Sequence, residues 1–282
     1  MSKILDMLSK GTGEVADAIR PLVEGEPAPA PAAPQDVPPI RAVEFRLPAP
    51  SPLLPFEEGQ WRPSEQYRIL RTKIVQNPSQ PQVIVMSSPA PGDGKSVSAI
   101  NTAGALSLKN EGRVLLMDGD LRKSAIHTLL GLPESPGLAE VLRGTCGLED
   151  ALVYAQEFPN LYVLPAGAVV DNPVELLDSV AWKTLCEKLR GLFRYVIIDS
   201  PPVGAVADYD LIQASCDGVI LVLRPDHTNR SLCQKALDNL PKKKLLGVLL
   251  NCVPDWKPGR HAGADYYYYA SDKQYAKTRE KG

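Results

Sequence analysis

Residues 88–96 of the chain read SPAPGDGKS, between the apolar run VIVMSS at 83–88 and the stretch SVSAINTAGALSL at 96–108. The apolar run predicts a buried strand, and the stretch after the loop predicts a helix. A glycine-rich segment that ends in Gly-Lys-Ser and joins a strand to a helix has the pattern of a phosphate-binding loop. An ordinary turn rich in glycine and proline is the alternative, but it does not require the strand, the lysine and the helix in this register.

The predicted loop offers phosphate ligands from its backbone and from two side chains. Backbone N–H groups at a helix N-terminus bind phosphate because they carry partial positive charge and point at the ligand. The residues expected to form this cradle are Gly92, Asp93, Gly94, Lys95, Ser96 and Val97. Lys95 is expected to bridge the β- and γ-phosphates, and the Ser96 hydroxyl to bind Mg²⁺. Pro89 replaces the usual first glycine and lacks an N–H, but it precedes the amides that wrap the phosphate.

More apolar runs follow the loop, and stretches of helical character separate them. The runs are RVLLMD (113–118), LYVLPA (161–166), YVIIDS (195–200), GVILVL (218–223) and LLGVLLN (245–251). They are almost continuously apolar, as expected for strands that are covered on both faces. Strands that alternate with helices predict an α/β fold of the P-loop NTPase type, with a mostly parallel central sheet flanked by helices on both faces.

Acidic residues stand at the ends of two of these predicted strands. Asp118 ends one run and Asp120 follows it closely, while Asp199 ends another run. In an open parallel sheet, ligands bind at the carboxyl ends of the strands, so these carboxylates are expected to converge beside the phosphates and a metal ion. A single aspartate at a strand end is often only a helix cap. Two such strand ends behind a phosphate-binding loop favour a metal site.

The composition limits the class of protein. The 282 residues are 44% hydrophobic and 23% charged, with a formal net charge of −2. These values fit one large α/β domain with appended segments, and they give no general attraction to nucleic acid. The five cysteines lie apart without CxxC spacing, which predicts reduced thiols in a cytoplasmic protein. No apolar run approaches the roughly 20 residues that span a bilayer.

Composition also divides the chain into four predicted segments. Apolar residues at near-helical spacing predict a short amphipathic helix in 1–20, and a Pro/Ala-rich stretch predicts a disordered linker in 21–56. The globular domain is predicted for 57–254, with a first helix from Pro63 to Gln76. A polar segment without periodicity predicts a flexible, tyrosine-rich tail in 255–282.

The tail carries a run of tyrosines that packing does not explain. The tyrosines are Tyr266, Tyr267, Tyr268 and Tyr269, with Tyr275 beyond them. The run has no amphipathic period and lies among small and polar residues. A patch for stacking or partner binding is one interpretation, and a mobile substrate that presents several hydroxyls in turn is the other.

Several motifs together resemble one family, the cytoplasmic bacterial tyrosine kinases of capsule and exopolysaccharide synthesis (CpsD/CapB type). The resemblance covers roughly 57–269. It rests on the phosphate-binding loop, LLMDGDLRK at 115–123, VIIDSPPV at 196–203 followed by Asp208, the helix pattern Glu65-x-x-Arg68-x-x-Arg71, and the tyrosine cluster. No kinase-type glycine-rich loop, HRD or DFG motif of the eukaryotic kind is found in the sequence.

The resemblance implies a role for each matching residue. ATP and Mg²⁺ would be the ligands, with Lys95 on the phosphates and with Ser96, Asp120 and Asp199 holding the metal. Asp118 would accept the proton of the attacking tyrosine. The helix with Glu65, Arg68 and Arg71 would pack against the next subunit of a ring, so that Tyr266–Tyr269 and Tyr275 are phosphorylated in trans. A separate transmembrane activator of the polysaccharide co-polymerase type would hold the kinase at the inner face of the plasma membrane, and other protein tyrosines would be possible substrates.

Two other functions remain open at this stage. A partitioning, septum-positioning or cluster-carrier ATPase would share the three nucleotide motifs, but its loop usually has an early lysine that SPAPGDGK lacks. A nucleotide-dependent scaffold with little turnover would show the same binding residues. The adenine contacts are poorly marked: Arg224 and Asn251 lie at predicted strand ends, where the alternatives are a surface arginine and a turn residue.

Overall fold

The computed structural model describes residues 40–47, 61–109, 112–156 and 158–253. Within these ranges the strands are β1 Arg41–Val43, β2 Val83–Ser87, β3 Val114–Asp118, β4 Val153–Ala155, β5 Phe158–Leu164, β6 Tyr195–Asp199, β7 Gly218–Leu223 and β8 Leu245–Leu250. The helices are α1 Trp61–Val75, α2 Lys95–Ser107, α3 Ile126–Leu130, α4 Leu138–Arg143, α5 Leu148–Ala151, α6 Pro173–Leu177, α7 Val180–Leu192, α8 Ala207–Ala214 and α9 Arg230–Asn239.

The strands form one sheet in the order β1-β4-β5-β3-β6-β2-β7-β8. Every neighbouring pair is parallel except β4 and β5, which are antiparallel. All residues of the three central strands β2, β3 and β6 are buried, which explains why their sequences are apolar without alternation. The predicted α/β fold with a mostly parallel central sheet is confirmed.

Helices cover both faces of this sheet, and each face has its own apolar core. One core joins α1, α2 and α3 to the sheet, and it includes Ile74, Ile84, Met86, Ile100, Ala103 and Ile197. The other core joins α4 to α9 to the sheet, and it includes Val85, Leu138, Leu177, Trp182, Leu189 and Ile198. Successive residues of a strand point to opposite faces, so Ile84 and Val85 serve different cores.

The strand order decides which loops surround the phosphate-binding loop. This loop follows β2, which lies between β6 and β7. The carboxyl ends of β6 and β3 therefore lie on one side of the loop, and those of β7 and β8 lie on the other. Because all five strands are parallel, their ends meet at the same edge of the sheet.

One part of the predicted linker is corrected. Residues 21–56 were expected to be disordered, but Arg41–Val43 form β1, which pairs with β4. The side chains of Val43, Phe45 and Leu47 pack against the core, and Arg46 N–H donates to the Leu130 carbonyl at 3.0 Å. The average Pro/Ala composition hides this alternation of apolar residues, which is the pattern of a strand with one buried face.

The other predicted boundaries differ less from the observed ones. The first helix of the domain runs from Trp61 to Val75 instead of 63–76, and β4 was not predicted, since three residues give too little pattern. The predicted helix in 1–20 and the tyrosine-rich tail in 255–282 lie outside the described residues. No helix in the described part of the chain is long and apolar enough to cross a membrane.

Candidate active site

The loop between β2 and α2 has the backbone conformation that its glycines permit. Gly92 and Gly94 adopt φ values of 88° and 90°, a region where L side chains are strained. A Cβ atom at position 94 would also overlap the amide of Asn251. Helix α2 begins directly after Gly94, and the first N–H groups of a helix have no acceptor within it. The loop therefore ends in the kind of backbone cradle that binds phosphate.

Lys95, the first residue of α2, lies between two of the predicted aspartates. Its Nζ is 3.1 Å from Asp120 Oδ2 and 3.4 Å from Asp199 Oδ1. Burial would lower the pKa of the Lys95 ammonium, but Asp199 and Asp120 outweigh it and raise that pKa. Lys95 therefore keeps its positive charge in a site that is almost closed to solvent.

Asp199, at the end of β6, has no exposed surface. Burial raises the pKa of its carboxyl, although Lys95 and a hydrogen bond from Ser96 act in the opposite direction. Its Oδ2 atom is buried and makes no hydrogen bond within the described part of the protein. A buried carboxylate oxygen of this kind is a suitable metal ligand, because a cation would satisfy it.

Asp118, at the end of β3, pairs with Asp199 in the register of the sheet. Its Oδ2 accepts the N–H groups of Ala125 and Ile126 at 3.0 and 3.1 Å, and its Oδ1 accepts that of Asp120 at 3.2 Å. Burial, with a smaller contribution from Asp199, raises the pKa of Asp118 to about 7. Asp118 thus holds the loop after β3 in place and carries a carboxyl that titrates near neutrality.

The charges of this cluster are unequal when its carboxyls are ionised. Asp118, Asp120 and Asp199 are then opposed by the single ammonium of Lys95, so a divalent cation would restore the balance. No group of three or more His, Cys, Asp and Glu side chains in the described ranges is arranged to hold a metal ion. The predicted Mg²⁺ site is of another kind, with the Ser96 hydroxyl, two carboxylates and the phosphates of a nucleotide as ligands. The side chains of Ser96, Asp120 and Asp199 are of the types that bind Mg²⁺ beside a nucleotide.

A second ion pair joins the loop after β3 to the start of α8. The Arg122 guanidinium donates to Asp208 from Nε at 2.7 Å and from Nη2 at 3.0 Å. The Asp208 carboxylate is fully buried, whereas the Arg122 side chain is partly exposed. The sequence marked Asp208 as part of a motif but gave no partner for it, because Arg122 lies 86 residues away.

Known proteins resemble this chain in sequence and in fold. No known family profile matches it. It is 36% identical over 208 residues to the tyrosine-protein kinase YwqD of Bacillus subtilis (strain 168), covering 72% of this chain and 86% of that relative. The chain belongs to the bacterial tyrosine-protein kinase family. It is also 37% identical over 190 residues to the tyrosine-protein kinase CpsD of Streptococcus pneumoniae serotype 4, covering 66% of this chain and 83% of that relative.

A solved structure supports the same relationship. The crystal structure of the chimerical protein CapA2B2 matches this kinase with a TM-score of 0.69 and 33% identity, over 77% of this chain and 95% of the other. The expected enzyme class, a bacterial tyrosine-protein kinase, is confirmed by these relatives. Nucleotide binding through a P-loop fold follows from the same membership.

On the other side of the kinase's phosphate-binding loop, Asp93 is the centre of a hydrogen-bonded cluster that the sequence did not predict. Its Oδ1 contacts His227 Nδ1 at 3.0 Å and accepts the Thr228 hydroxyl at 2.7 Å, while its backbone carbonyl accepts the Asn251 amide at 3.0 Å. Asn251 thus braces the loop. The position of His227 and Thr228 just after an apolar strand was the available signal, but no motif distinguishes them from ordinary loop residues.

The predicted oligomerisation residues lie together on α1 of this kinase, but they differ in their contacts. Arg68 Nη1 is 3.1 Å from Glu65 Oε2, and both side chains are exposed. Arg71 is partly buried, and its Nη1 donates to the carbonyl of Ala105 near the end of α2 at 3.3 Å. Arg71 therefore also helps to hold α1 on α2 within one subunit.

The remaining predicted residues fall into two groups. Val97 lies in the first turn of α2 and packs partly against the core. The tyrosines predicted as phosphorylation sites, Tyr266, Tyr267, Tyr268, Tyr269 and Tyr275, lie outside the described residues. The structure thus brings Lys95, Asp120 and Asp199 together.

Proposed function

We propose that this kinase transfers the γ-phosphoryl group of ATP to the tyrosines of its own C-terminal cluster, in trans within a ring of subunits. Phosphorylation of Tyr266–Tyr269 and Tyr275 would regulate capsule or exopolysaccharide synthesis and export. The observation that carries the proposal is the position of Lys95 between Asp120 and Asp199, directly beside the phosphate cradle. This cluster combines a cation for the phosphates with carboxylates for a metal.

Within the site, each side chain has a proposed task in phosphoryl transfer. Ser96, Asp120 and Asp199 would hold Mg²⁺, which would neutralise charge on the phosphates. Lys95 leaves its carboxylate partners to bind the β- and γ-phosphates, with its ammonium still charged. The backbone of Gly92–Val97 fixes the phosphate chain, so catalysis depends mainly on position and charge.

Asp118 is the proposed proton acceptor for the attacking tyrosine. A pKa of about 7 is close to that of an effective general base at neutral pH. Its Oδ2 accepts two backbone N–H groups and its Oδ1 accepts one, so Oδ1 keeps a lone pair that can accept the tyrosine proton.

Assembly and partners belong to the same proposal. Glu65, Arg68 and Arg71 are proposed to contact the neighbouring subunit, and the exposure of Glu65 and Arg68 supports this. A transmembrane activator is the proposed partner that brings the kinase to the inner face of the plasma membrane. We propose 57–254 as the main part of the kinase domain, to which β1 adds an edge strand, 1–20 as a helix that tethers it to that activator, and 255–282 as the tail that is phosphorylated.

The test is phosphotyrosine formation by the purified full chain with Mg²⁺ and ATP, with and without the activator's cytoplasmic segment. Wild type should label Tyr266–Tyr269, and Lys95→Met should abolish the label, because it removes the only ammonium identified in the cluster. Lys183→Met, which changes an exposed lysine on α7, is the matched control and should keep full labelling. ATP hydrolysis without phosphotyrosine, even with activator present, would overturn the proposal in favour of an ATPase.

A further inference from the structure

The Asp93 carboxylate is buried at the centre of the phosphate-binding loop, and its hydrogen bonds come from two different segments. Within the loop, Ala90 N–H donates to its Oδ2 at 3.1 Å. From the turn after β7, the imidazole of His227 and the hydroxyl of Thr228 bind its Oδ1. Asp93 has no exposed surface, so these groups replace the solvation that the carboxylate loses.

The turn that supplies His227 and Thr228 is itself well fixed. The N–H groups of both residues donate to the Arg224 carbonyl at 2.9 and 2.7 Å, and the Thr228 hydroxyl accepts the Arg224 N–H at 2.9 Å. These hydrogen bonds fix the conformation of the turn, which follows directly from β7.

The phosphate-binding loop contacts the turn after β7 at a second residue, Gly92. A Cβ atom built at Gly92 would lie 3.3 Å from His227 Cε1, so the imidazole packs closely over the backbone of Gly92. From the end of β8, on the same side of the loop, the Asn251 side-chain amide donates to the Asp93 carbonyl. The backbone of 92–94 is therefore fixed by side chains from the ends of β7 and β8.

We propose that His227 and Thr228 are positioning residues that set the nucleotide affinity of this kinase by orienting the loop through the Asp93 side chain. The inference rests on the proposed nucleotide site. The Asp93 N–H belongs to the predicted cradle, so a shift of the loop backbone at Asp93, once its side chain is no longer held, would turn a phosphate donor away. Neither His227 nor Thr228 needs to touch the nucleotide for this effect.

The surroundings of His227 distinguish a role in orienting the loop from a general role in folding. The His227 side chain is 44% exposed, and it is absent from both apolar cores. When the imidazole is removed, Asp93 still accepts the Ala90 N–H and the Thr228 hydroxyl, so the fold keeps most of its contacts. Removal of the imidazole should therefore change the orientation of the phosphate-binding loop and weaken nucleotide binding.

The test is the dissociation constant for Mg²⁺–ADP, measured by titration calorimetry on the full chain. His227→Ala and Thr228→Val should each weaken binding about tenfold, as expected for the loss of a hydrogen bond to a buried carboxylate. His227→Asn keeps an N–H donor near the position of Nδ1, and Thr228→Ser keeps the hydroxyl, so both should bind nearly as wild type. Asp226→Ala, in the same turn but outside the cluster, is the control.

Kinetics and stability complete the test. His227→Ala should raise KM for ATP and leave kcat nearly unchanged, while the unfolding temperature without nucleotide stays close to that of wild type. Wild-type affinity in His227→Ala would overturn the inference, as would equal losses in the alanine and asparagine variants. Failure of the wild type to bind Mg²⁺–ADP would instead overturn the proposed nucleotide site.

Discussion

At the scale of residues, the site of this kinase is governed by the burial of like charges. Asp118 and Asp199 end adjacent strands and pair in register, so the fold brings two carboxyls close together away from solvent. Burial raises the pKa of both, while Lys95 opposes the shift at each. Clustered buried carboxylates lower the stability of the fold unless a proton or a cation accompanies them. Shifted pKa values of this kind are more common at binding sites than elsewhere in a protein.

The pH dependence of stability should reveal the Asp118 proton. Its pKa is about 7 in the fold against an ordinary value of 3.8, so the folded state holds a proton that the unfolded state releases. Its stabilising effect is present at low pH and is lost as the pH rises through about 7. Without nucleotide, the unfolding temperature of wild type relative to Asp118→Asn should therefore fall as the pH rises from the unfolded pKa of 3.8 to the folded pKa of about 7, and it should level off above that.

The measurement is thermal unfolding of both proteins in matched buffers across this range. Asp171→Asn, which changes an exposed carboxyl, serves as control and should follow wild type in parallel. Parallel curves for wild type and Asp118→Asn would mean that the Asp118 carboxyl does not titrate in this range.

At the scale of elements, the turn between β2 and α2 depends on glycine for two separate reasons. Gly94 needs positive φ, and its missing side chain leaves room for the Asn251 amide. Gly144, after α4, also has a positive φ of 72°, but nothing lies within 4 Å of a Cβ placed there. The two positions therefore separate the cost of the backbone conformation from the cost of steric overlap.

Gly94→Ala should abolish binding of Mg²⁺–ADP, because the new methyl group displaces Asn251 and distorts the loop. Gly144→Ala is the matched control and should cost only about 1 kcal/mol of stability while binding stays at the wild-type level. Calorimetric titration and thermal unfolding of both variants are the measurements. Normal binding by Gly94→Ala would contradict the proposed cradle.

At the scale of the whole molecule, α1 connects the proposed subunit interface to the nucleotide site. Arg71 donates to the Ala105 carbonyl of α2, the helix that begins at Lys95. Glu65 and Arg68 pair with each other on the exposed surface. An exposed ion pair contributes little to the stability of a single subunit. Its removal therefore tests the assembly of subunits with little effect on their folding.

Arg68→Ala should weaken self-association about tenfold or more if its guanidinium anchors the interface, as arginines often do. Sedimentation velocity with Mg²⁺–ATP and activator segment measures the assembly, and phosphotyrosine on the tail reports the transfer between subunits. Lys73→Ala, which changes another exposed residue of α1, is the control. Wild-type assembly by Arg68→Ala would contradict the proposed ring contact.

The sequence by itself determined the fold class and the main chemistry of this protein. The phosphate-binding loop, the aspartates at strand ends and the apolar runs are local patterns, so they can be read from neighbouring residues. The same reading missed β1 and β4, because three residues give too little pattern to identify a strand.

Only the tertiary structure decided which distant residues meet at the site. The order β3-β6-β2-β7-β8 brings Asp118 and Asp199 to one side of the loop, and His227, Thr228 and Asn251 to the other. The Asp93–His227 contact spans 134 residues of sequence, and no local pattern encodes such a pairing. Sequence specifies the elements through short-range periodicity, whereas burial and hydrogen-bond satisfaction across the assembled sheet select these partners.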